Sequence, residues 1–185
     1  MITWEPWLTT FSKENFPKIK DMEQRDNHGL SSVANGDYDV YIKEWATDAA
    51  KVGHPIYLRV GHEMNDSYRY KWGAMNNDPS EFVAAFKHVK DVFDSVGATD
   101  IIWVWSPHIA KGKFPEYYPG NDYVDIIATG ALNYGTSANF SDWWTFEETF
   151  GKYYDQLASF YKPIMIAEFG SLKIGGSRAK WFGDA

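Results

Sequence analysis

The sequence predicts an α/β fold whose parallel sheet is built from right-handed βαβ units. Three observations support this prediction. The chain has 185 residues, about the length of one domain, and 44% of them are hydrophobic. Short runs rich in Ile, Val, Tyr and Trp alternate with segments that repeat apolar residues at helical spacing. No linker, repeat or low-complexity tract interrupts this pattern, so residues 1–185 are expected to form a single domain.

Five runs have the composition and the length of strands. A helical crossover makes successive strands parallel, so their carboxyl ends are expected at one edge of the sheet. Parallel α/β folds place their chemistry at that edge. The runs are Ile2–Trp4, Ile56–Glu63, Ile101–Ser106, Val124–Ala128 and Ile164–Phe169.

Helical periodicity marks two segments in the first half of the chain. The first, over residues 41–52, repeats apolar side chains on one face. The second, over residues 82–96, follows Asp78 and Glu81, which have the spacing of a capping box. A proline between them occupies the first helical position.

A third helix is predicted over residues 146–161, where Thr145 and Glu148 form another capping box. The proline at position 163 ends it. Residues 9–35 have the weakest pattern, and we expect a long loop with one short helix over residues 16–23.

Composition excludes several classes of function. The net charge is −7 and no lysine or arginine cluster is present, which argues against a nucleic-acid partner. No apolar run is long enough for a membrane helix, so no membrane segment is expected. The absence of cysteine excludes disulfides and thiolate chemistry. No export signal follows Met1, and the compartment stays open.

Aromatic residues make up 18% of the chain, which is its largest departure from average composition. Most of these rings are expected in the core. Many, however, lie beside Pro, Gly, Asn or Asp, where their flat faces would suit a carbohydrate cleft. These are Trp4, Trp7, Tyr68, Tyr70, Trp72, Trp105, Tyr117, Tyr118, Tyr134, Trp143 and Trp144.

Two segments carry a glutamate at the predicted carboxyl end of a strand. In the first, alternation along the strand predicts that Arg59 and Glu63 project to one side. In the second, Glu168 follows four apolar residues and lies two positions before Gly170. A lone glutamate of this kind is more often solvated or an ion-pair partner, for example of Arg59. Two of them at one edge match glycoside hydrolysis, in which one carboxyl group protonates the leaving oxygen and the other attacks carbon or activates water.

Other chemistries have weaker support. His62 and Glu63 resemble the start of a zinc-protease motif, but the second histidine is missing and the segment follows a strand. The chain has no phosphate loop, no G-x-S-x-G elbow and no dinucleotide fingerprint. We therefore expect no metal and no cofactor. The remaining histidines are expected to be solvated or hydrogen-bonded, and they are His28, His54, His88 and His108.

At these two segments the chain resembles glycoside hydrolase family 26, the retaining β-mannanases and related β-glucanases. The segment from Arg59 through His62, Glu63 and Asn65 resembles the family's acid/base segment, and Ile166–Gly170 resembles its nucleophile segment. The resemblance implies a (β/α)8 TIM barrel of which this chain covers about strands three to seven. Strands one, two and eight have no counterpart in this sequence. Supporting matches are Ile2–Trp7, Gly36–Ile42, Trp103–Pro107, Tyr117–Asp125 and Lys162–Glu168.

The resemblance implies that Glu63 is the general acid/base and Glu168 the nucleophile of an endo-acting hydrolase. Arg59 would keep one of the two carboxylates charged, and His62 would support that group or contact a sugar hydroxyl. The substrate would be a β-linked polysaccharide or oligosaccharide such as mannan or mixed-linkage glucan, and the enzyme would be secreted. The implied substrate-binding residues are Arg59, His62, Asn65, Trp72, Trp105, Tyr134 and Trp4, with Trp72 and Trp105 as the stacking platforms.

One departure concerns the nucleophile. Many members of the family have a Tyr-Asn pair at the end of strand six, and the tyrosine hydrogen-bonds the nucleophile. This chain has Leu132 and Asn133 there, and Tyr134 would take that role if the strand continued.

Two alternatives stay open. The chain could be a catalytically silent module that binds sugar or assists assembly. It could also belong to a related clan member such as a family 5 endoglucanase, although those enzymes usually have Asn where this chain has His62.

Overall fold

The structure, a computed structural model, describes residues 1–7 and 29–185. Within these ranges five strands form one sheet, and every neighbouring pair is parallel. Their spatial order is their order along the chain, which confirms the predicted α/β fold. The strands are β1 (Ile2–Trp4), β2 (Ile56–Val60), β3 (Ile101–Trp105), β4 (Ile126–Asn133) and β5 (Ile164–Ser171).

Helices lie between the strands in the described part of the chain. Both predicted capping boxes are present, at Asp78 with Glu81 and at Thr145 with Glu148. Short 3₁₀ turns occupy Ile109–Lys111 and Gly151–Tyr153. The helices are α1 (Gly29–Ala34), α2 (Asp39–Ala50), α3 (Pro79–Ser95), α4 (Phe114–Tyr117), α5 (Phe146–Phe150), α6 (Tyr154–Ala158) and α7 (Arg178–Gly183).

The predicted loop over residues 9–35 is wrong at its carboxyl end, where α1 lies. This helix buries Leu30 and Val33, and the backbone N–H of Leu30 donates to the Asn77 side chain at 3.1 Å. Six residues are too few for a periodic signal, so the helix depends on tertiary contacts. The short helix predicted over residues 16–23 lies outside the described residues, as does His28.

The predicted third helix is divided into α5, a 3₁₀ turn and α6. The division is at Gly151, a residue that costs about 1 kcal/mol relative to alanine inside a helix. A Cβ at this position would lie 2.0 Å from the carboxylate of Glu147, an exposed side chain that would have to turn away.

The outer face of the sheet packs against the helices. Leu58 of β2, Trp103 of β3 and Ile127 of β4 are 1%, 3% and 0% exposed and belong to one core cluster. Trp103 meets the rings of Phe86 and Phe93 on α3. The alternate side chains point to the inner face, on which Arg59 lies. In the described residues, no helix has the length and apolarity needed to cross a membrane.

A β-bulge separates the two halves of the β4–β5 pair. Thr129 pairs with Ile166, but the next residue, Gly130, pairs with Glu168. Ala167 is therefore an extra residue in β5. Because side chains alternate along a strand, one extra residue moves every later side chain to the opposite face. Glu168 thus shares the inner face with Gly130, whereas Ile166 points to the helices.

Candidate active site

Glu63 lies in the turn after β2, not on the strand. The strand ends at Val60, because Gly61 and Glu63 have φ values of 51° and 53°. The predicted alternation of Arg59 and Glu63 along one strand is therefore wrong. The Glu63 N–H donates to the Ser106 carbonyl at 2.7 Å, which holds the turn against the end of β3. A positive φ is uncommon for a residue with a Cβ, and in the described residues Lys113 and Tyr161 also have one.

Glu63 forms an ion pair with Arg69, a residue that the sequence reasoning did not select. Arg69 Nη2 lies 3.0 Å from Glu63 Oε2, and its Nε donates to Asp66. Asp66 is 1% exposed and also accepts the backbone N–H of Tyr68 at 3.0 Å. The spacing of Asp66 and Arg69 directly after the glutamate is visible in the sequence and could have indicated this pair.

Glu168 pairs with Arg59 across the sheet. Arg59 Nη2 lies 2.6 Å from Glu168 Oε1, and Arg59 Nε donates to the Thr3 hydroxyl at 2.9 Å. The arginine side chain is 9% exposed and the glutamate side chain 54%. Gly130 faces Glu168, and a Cβ there would lie 3.1 Å from the Glu168 Cβ. The bulge and this glycine together make room for the carboxylate on the inner face.

Both glutamates line one groove of about 1160 Å³. Burial raises the pKa of Glu63; Arg69 lowers it, and the nearby charges of Asp66 and Glu168 raise it. Each glutamate contacts a guanidinium, but the two differ in burial, since the Glu63 side chain is 16% exposed and the Glu168 side chain is 54% exposed. The two carboxyl groups therefore have different electrostatic surroundings, as an acid and a nucleophile require.

His62 lies beside Tyr70 below the groove. Its Nε2 is 3.2 Å from the Tyr70 hydroxyl, and its carbonyl accepts the Trp72 indole N–H at 2.7 Å. Burial lowers the pKa of His62, and the positive charge of Arg59 adds to this effect. These effects favour the neutral imidazole, whose ring contacts the Tyr70 hydroxyl.

Asn65 is predicted to bind substrate, but its side chain is occupied by protein contacts. It is 7% exposed, donates to the carbonyls of His108 and Gly112 at 3.0 and 2.8 Å, and accepts the His108 N–H at 2.7 Å. Asn65 therefore fastens the turn that carries Glu63 to the loop after β3.

The structure places the three predicted tryptophans in the core, so none has a face open to the groove. Trp4, Trp72 and Trp105 are 7%, 1% and 0% exposed. Trp105 was expected to stack on sugar, but it points to the outer face and meets the rings of Tyr118 and Phe160. Trp72 stacks on Tyr70, and Trp4 packs against rings of α2. Outer-face packing is a consequence of strand alternation, which places Trp105 on the same side as Trp103.

Tyr134 does line the groove and is 40% exposed. Phe140 and Trp144 line the same wall and are 79% and 39% exposed. Asn133 holds this loop, since its side chain donates to the Trp144 carbonyl and accepts the Gly135 N–H. Exposed rings therefore line the groove from the loop after β4 and, at Tyr68, which is 79% exposed, from the loop after β2.

His108 and Lys111 also reach the groove and were not selected from the sequence. His108 Nε2 lies 4.0 Å from Glu63 Oε1, and Lys111 Nζ lies 3.9 Å from Asp66 Oδ1. Oxygen and nitrogen atoms of Glu63, Asp66 and His108 lie within 4.8 Å of one another, as in a cation site. The Arg69 guanidinium already pairs with both carboxylates, so we assign no metal to this cluster.

Comparison with known proteins identifies the family. The family model for glycosyl hydrolase family 26 matches residues 2–176. The chain belongs to glycosyl hydrolase family 26. The recognition made from the two glutamate segments is therefore confirmed.

Two relatives of this chain are named as different enzymes, an endoglucanase and a mannan endo-1,4-beta-mannosidase. Endoglucanase H of Acetivibrio thermocellus is 34% identical over 194 residues, covering 100% of this chain and 19% of that protein. A mannan endo-1,4-beta-mannosidase of Bacillus subtilis is 28% identical, covering 91% of this chain and 44% of that protein. The chain thus spans less than half the length of either relative.

Solved structures of family 26 support the barrel fold. An endo-beta-1,4-mannanase of Cellulomonas fimi, solved as a double mutant, superposes with a TM-score of 0.62 at 20% identity, covering 81% of this chain and 36% of that one. A Bacillus subtilis mannanase superposes with a TM-score of 0.58 at 22% identity, covering 94% and 49%. The five strands are therefore part of a (β/α)8 barrel, as predicted.

Proposed function

We propose that this chain carries the catalytic centre of an endo-acting, retaining hydrolase of β-linked glycans. The observation that carries the proposal is the meeting of Glu63 and Glu168, from distant parts of the chain, on one groove. Family 26 membership and the names of the relatives give the substrate class, β-mannan or β-glucan. A polymer of this kind does not cross a membrane, so an extracellular location is part of the proposal.

In the first step, the Glu63 carboxyl group donates its proton to the glycosidic oxygen as the bond to the anomeric carbon breaks. The Glu168 carboxylate forms a bond to that carbon. In the second step, the Glu63 carboxylate takes a proton from water, whose oxygen displaces Glu168. Two displacements return the original anomeric configuration.

The groove can hold an extended chain next to these groups. Exposed rings of Tyr134, Phe140 and Trp144 lie along one wall, where they can contact the faces of sugar rings. Arg59 keeps the Glu168 carboxylate oriented on the inner face.

The test is release of reducing sugar from β-mannan and from mixed-linkage β-glucan by the wild-type chain. We expect Glu168→Gln to abolish release and Glu63→Gln to lower it by about 10²–10⁴-fold, the range for loss of a general acid. Glu44→Gln, an exposed change on α2, is the matched control and should retain full activity.

The configuration of the first product, followed by NMR, tests retention. An initial product with the α-configuration would contradict the double displacement. Binding of either polymer without release by the wild-type chain would instead support the alternative, a carbohydrate-binding role.

A further inference from the structure

Residues 63–69 contain an unusual chain of charges. Arg69 lies between two carboxylates, with Nη2 at 3.0 Å from Glu63 and Nε donating to Asp66. The Asp66 side chain is 2% exposed and that of Glu63 is 16% exposed, whereas that of Arg69 is 45% exposed. The guanidinium therefore lies at the groove surface and is anchored from below by a buried carboxylate.

The reaction proposed above requires Glu63 in two charge states. The group must be neutral when the glycosidic bond breaks and anionic when water attacks. A carboxylate that is largely removed from water costs free energy unless a positive group faces it. Arg69 is such a group, and it forms the shorter of the two basic contacts to Glu63, since His108 is 4.0 Å away.

Asp66 decides how strongly Arg69 acts on Glu63. Its carboxylate shares the guanidinium, and Lys111 lies 3.9 Å from it on the other side. Because Asp66 already balances the charge of Arg69, the guanidinium does not force Glu63 to ionise. Glu63 can therefore hold its proton before bond cleavage and still have a cation in contact afterwards.

We propose that Arg69, anchored by Asp66, is a positioning residue that stabilises the Glu63 carboxylate between the two steps of hydrolysis. This inference rests on the proposed function. Other charged or titratable groups also face Glu63, namely Tyr70 from the same turn, His108 from the loop after β3 and Glu168 from β5. Arg69 makes the shorter cationic contact with Glu63, 3.0 Å against 4.0 Å for His108, and its substitution leaves both glutamates in place.

A direct test is the titration of Glu63 in the 185-residue chain labelled with ¹³C at the glutamate side-chain carboxyl. The Glu63 signal is assigned by its loss in Glu63→Gln. We expect Arg69→Met to move the Glu63 midpoint to higher pH, because the cation that favours the carboxylate is gone. Lys51→Met, which removes an exposed cation from the residue that follows α2, should leave the midpoint unchanged. An unchanged or lowered midpoint in Arg69→Met would overturn the proposal.

Arg69→Gln is the second variant, since its amide can still bond Asp66 but carries no charge. It should shift the Glu63 midpoint in the same direction as Arg69→Met. Circular dichroism checks that both variants fold. Loss of the fold in both would assign Arg69 to stability and would also overturn the proposal.

Kinetics with an aryl β-glycoside separate the two steps. A good leaving group needs little acid assistance, so the first step should change less than about 2-fold in Arg69→Met, whereas general-base help in the second step is worth at least about 10²-fold and should be partly lost. We expect a burst of aryl release followed by slow turnover, with kcat and KM both lowered. Equal losses in both steps would contradict the assignment.

The NMR readout does not depend on activity. If Arg69→Met shifts the Glu63 midpoint but the wild-type chain releases no sugar, the effect of Arg69 on Glu63 is supported. The proposed function is then contradicted. If the wild-type chain is active but Arg69→Met leaves the Glu63 midpoint unchanged, the inference about Arg69 is contradicted and the proposed function is not.

Discussion

Arg59 and Glu168 form a 2.6 Å ion pair although their strands are not neighbours. β3 and β4 lie between β2 and β5. In a flat sheet these two strands would be about 14 Å apart, three times the usual spacing. Two long side chains make this contact over a curved sheet, and it joins β2 to the edge strand β5 across the inner face. The candidate active site is a product of this curvature.

Loss of the Arg59 side chain should leave Glu168 in place but no longer oriented for nucleophilic attack. In Arg59→Met the carboxylate loses the group that orients it, and a displacement of about 1 Å can lower kcat by about 10²-fold. Arg59→Lys should restore little, because an ammonium lacks the fork that bonds both Thr3 and Glu168. Steady-state hydrolysis checks this. Lys43→Met, an exposed change on α2, is the control, and full activity of Arg59→Met would contradict the role.

The pH profile should report the surroundings of Glu63. The protonated form is the active one in the first step, so kcat/KM falls as pH rises through the Glu63 pKa. Burial raises this pKa above its ordinary value of 4.5. The basic limb is therefore expected at higher pH than for a free glutamate. Profiles of hydrolysis of a β-linked oligosaccharide, whose leaving group needs acid assistance, should lose this limb in Glu63→Gln. If the basic limb persists in Glu63→Gln, another titratable group causes it.

Asp66 should stabilise the fold above acidic pH. Although its burial acts to raise the pKa, the Arg69 and Tyr68 hydrogen bonds lower it overall. A depressed pKa gives stability that is present above the pKa of the unfolded chain, about 4, and is lost as pH falls through the folded value. Asp66→Asn should cost about 2 kcal/mol at pH 7, the value of a charged hydrogen bond.

Urea unfolding at several pH values tests this expectation. The difference between the wild-type chain and Asp66→Asn should shrink as pH falls towards about 3, below the ordinary aspartate pKa. If the difference in unfolding free energy grew as pH fell, the assigned direction of the Asp66 pKa shift would be wrong.

Asn65 should contribute to the free energy of unfolding rather than to substrate binding. Asn65→Ala removes three hydrogen bonds and leaves partly buried backbone groups of His108 and Gly112 without this partner. The expected loss is about 2–3 kcal/mol in urea unfolding. Asn139→Ala, an exposed asparagine in the loop after β4, should change stability by less than about 0.5 kcal/mol. A stable Asn65→Ala with raised KM would favour the original expectation of a substrate contact.

Two aromatic positions should respond in opposite ways. Trp105 is fully buried, so Trp105→Leu should lower the free energy of unfolding by about 3 kcal/mol. Tyr134 is 40% exposed on the groove, and Tyr134→Leu should leave stability within about 0.5 kcal/mol while raising KM. Thermal unfolding and KM for an oligosaccharide check both variants. Trp105→Leu with unchanged stability would mean that its ring is not in the core.

Much of the site could be predicted from the two glutamate segments, because strand composition and motif spacing are local properties. The cations that pair with the two glutamates could not be predicted in this way. Alternation along β2 predicted Arg59 on the side of Glu63 and left open which carboxylate it would hold, but the strand ends at Val60 and the arginine reaches Glu168. The bulge at Ala167 has no local signal, although it sets the face on which Glu168 lies.

The sequence by itself determined the order of the five strands, the caps of α3 and α5, and the location of Glu63 just after β2 and of Glu168 in the carboxyl half of β5. These features depend on residues close together in the chain. Only the tertiary structure decided which cation pairs with which glutamate, and which tryptophans are buried. Those outcomes depend on the register and curvature of strands separated by many residues, which no local pattern encodes.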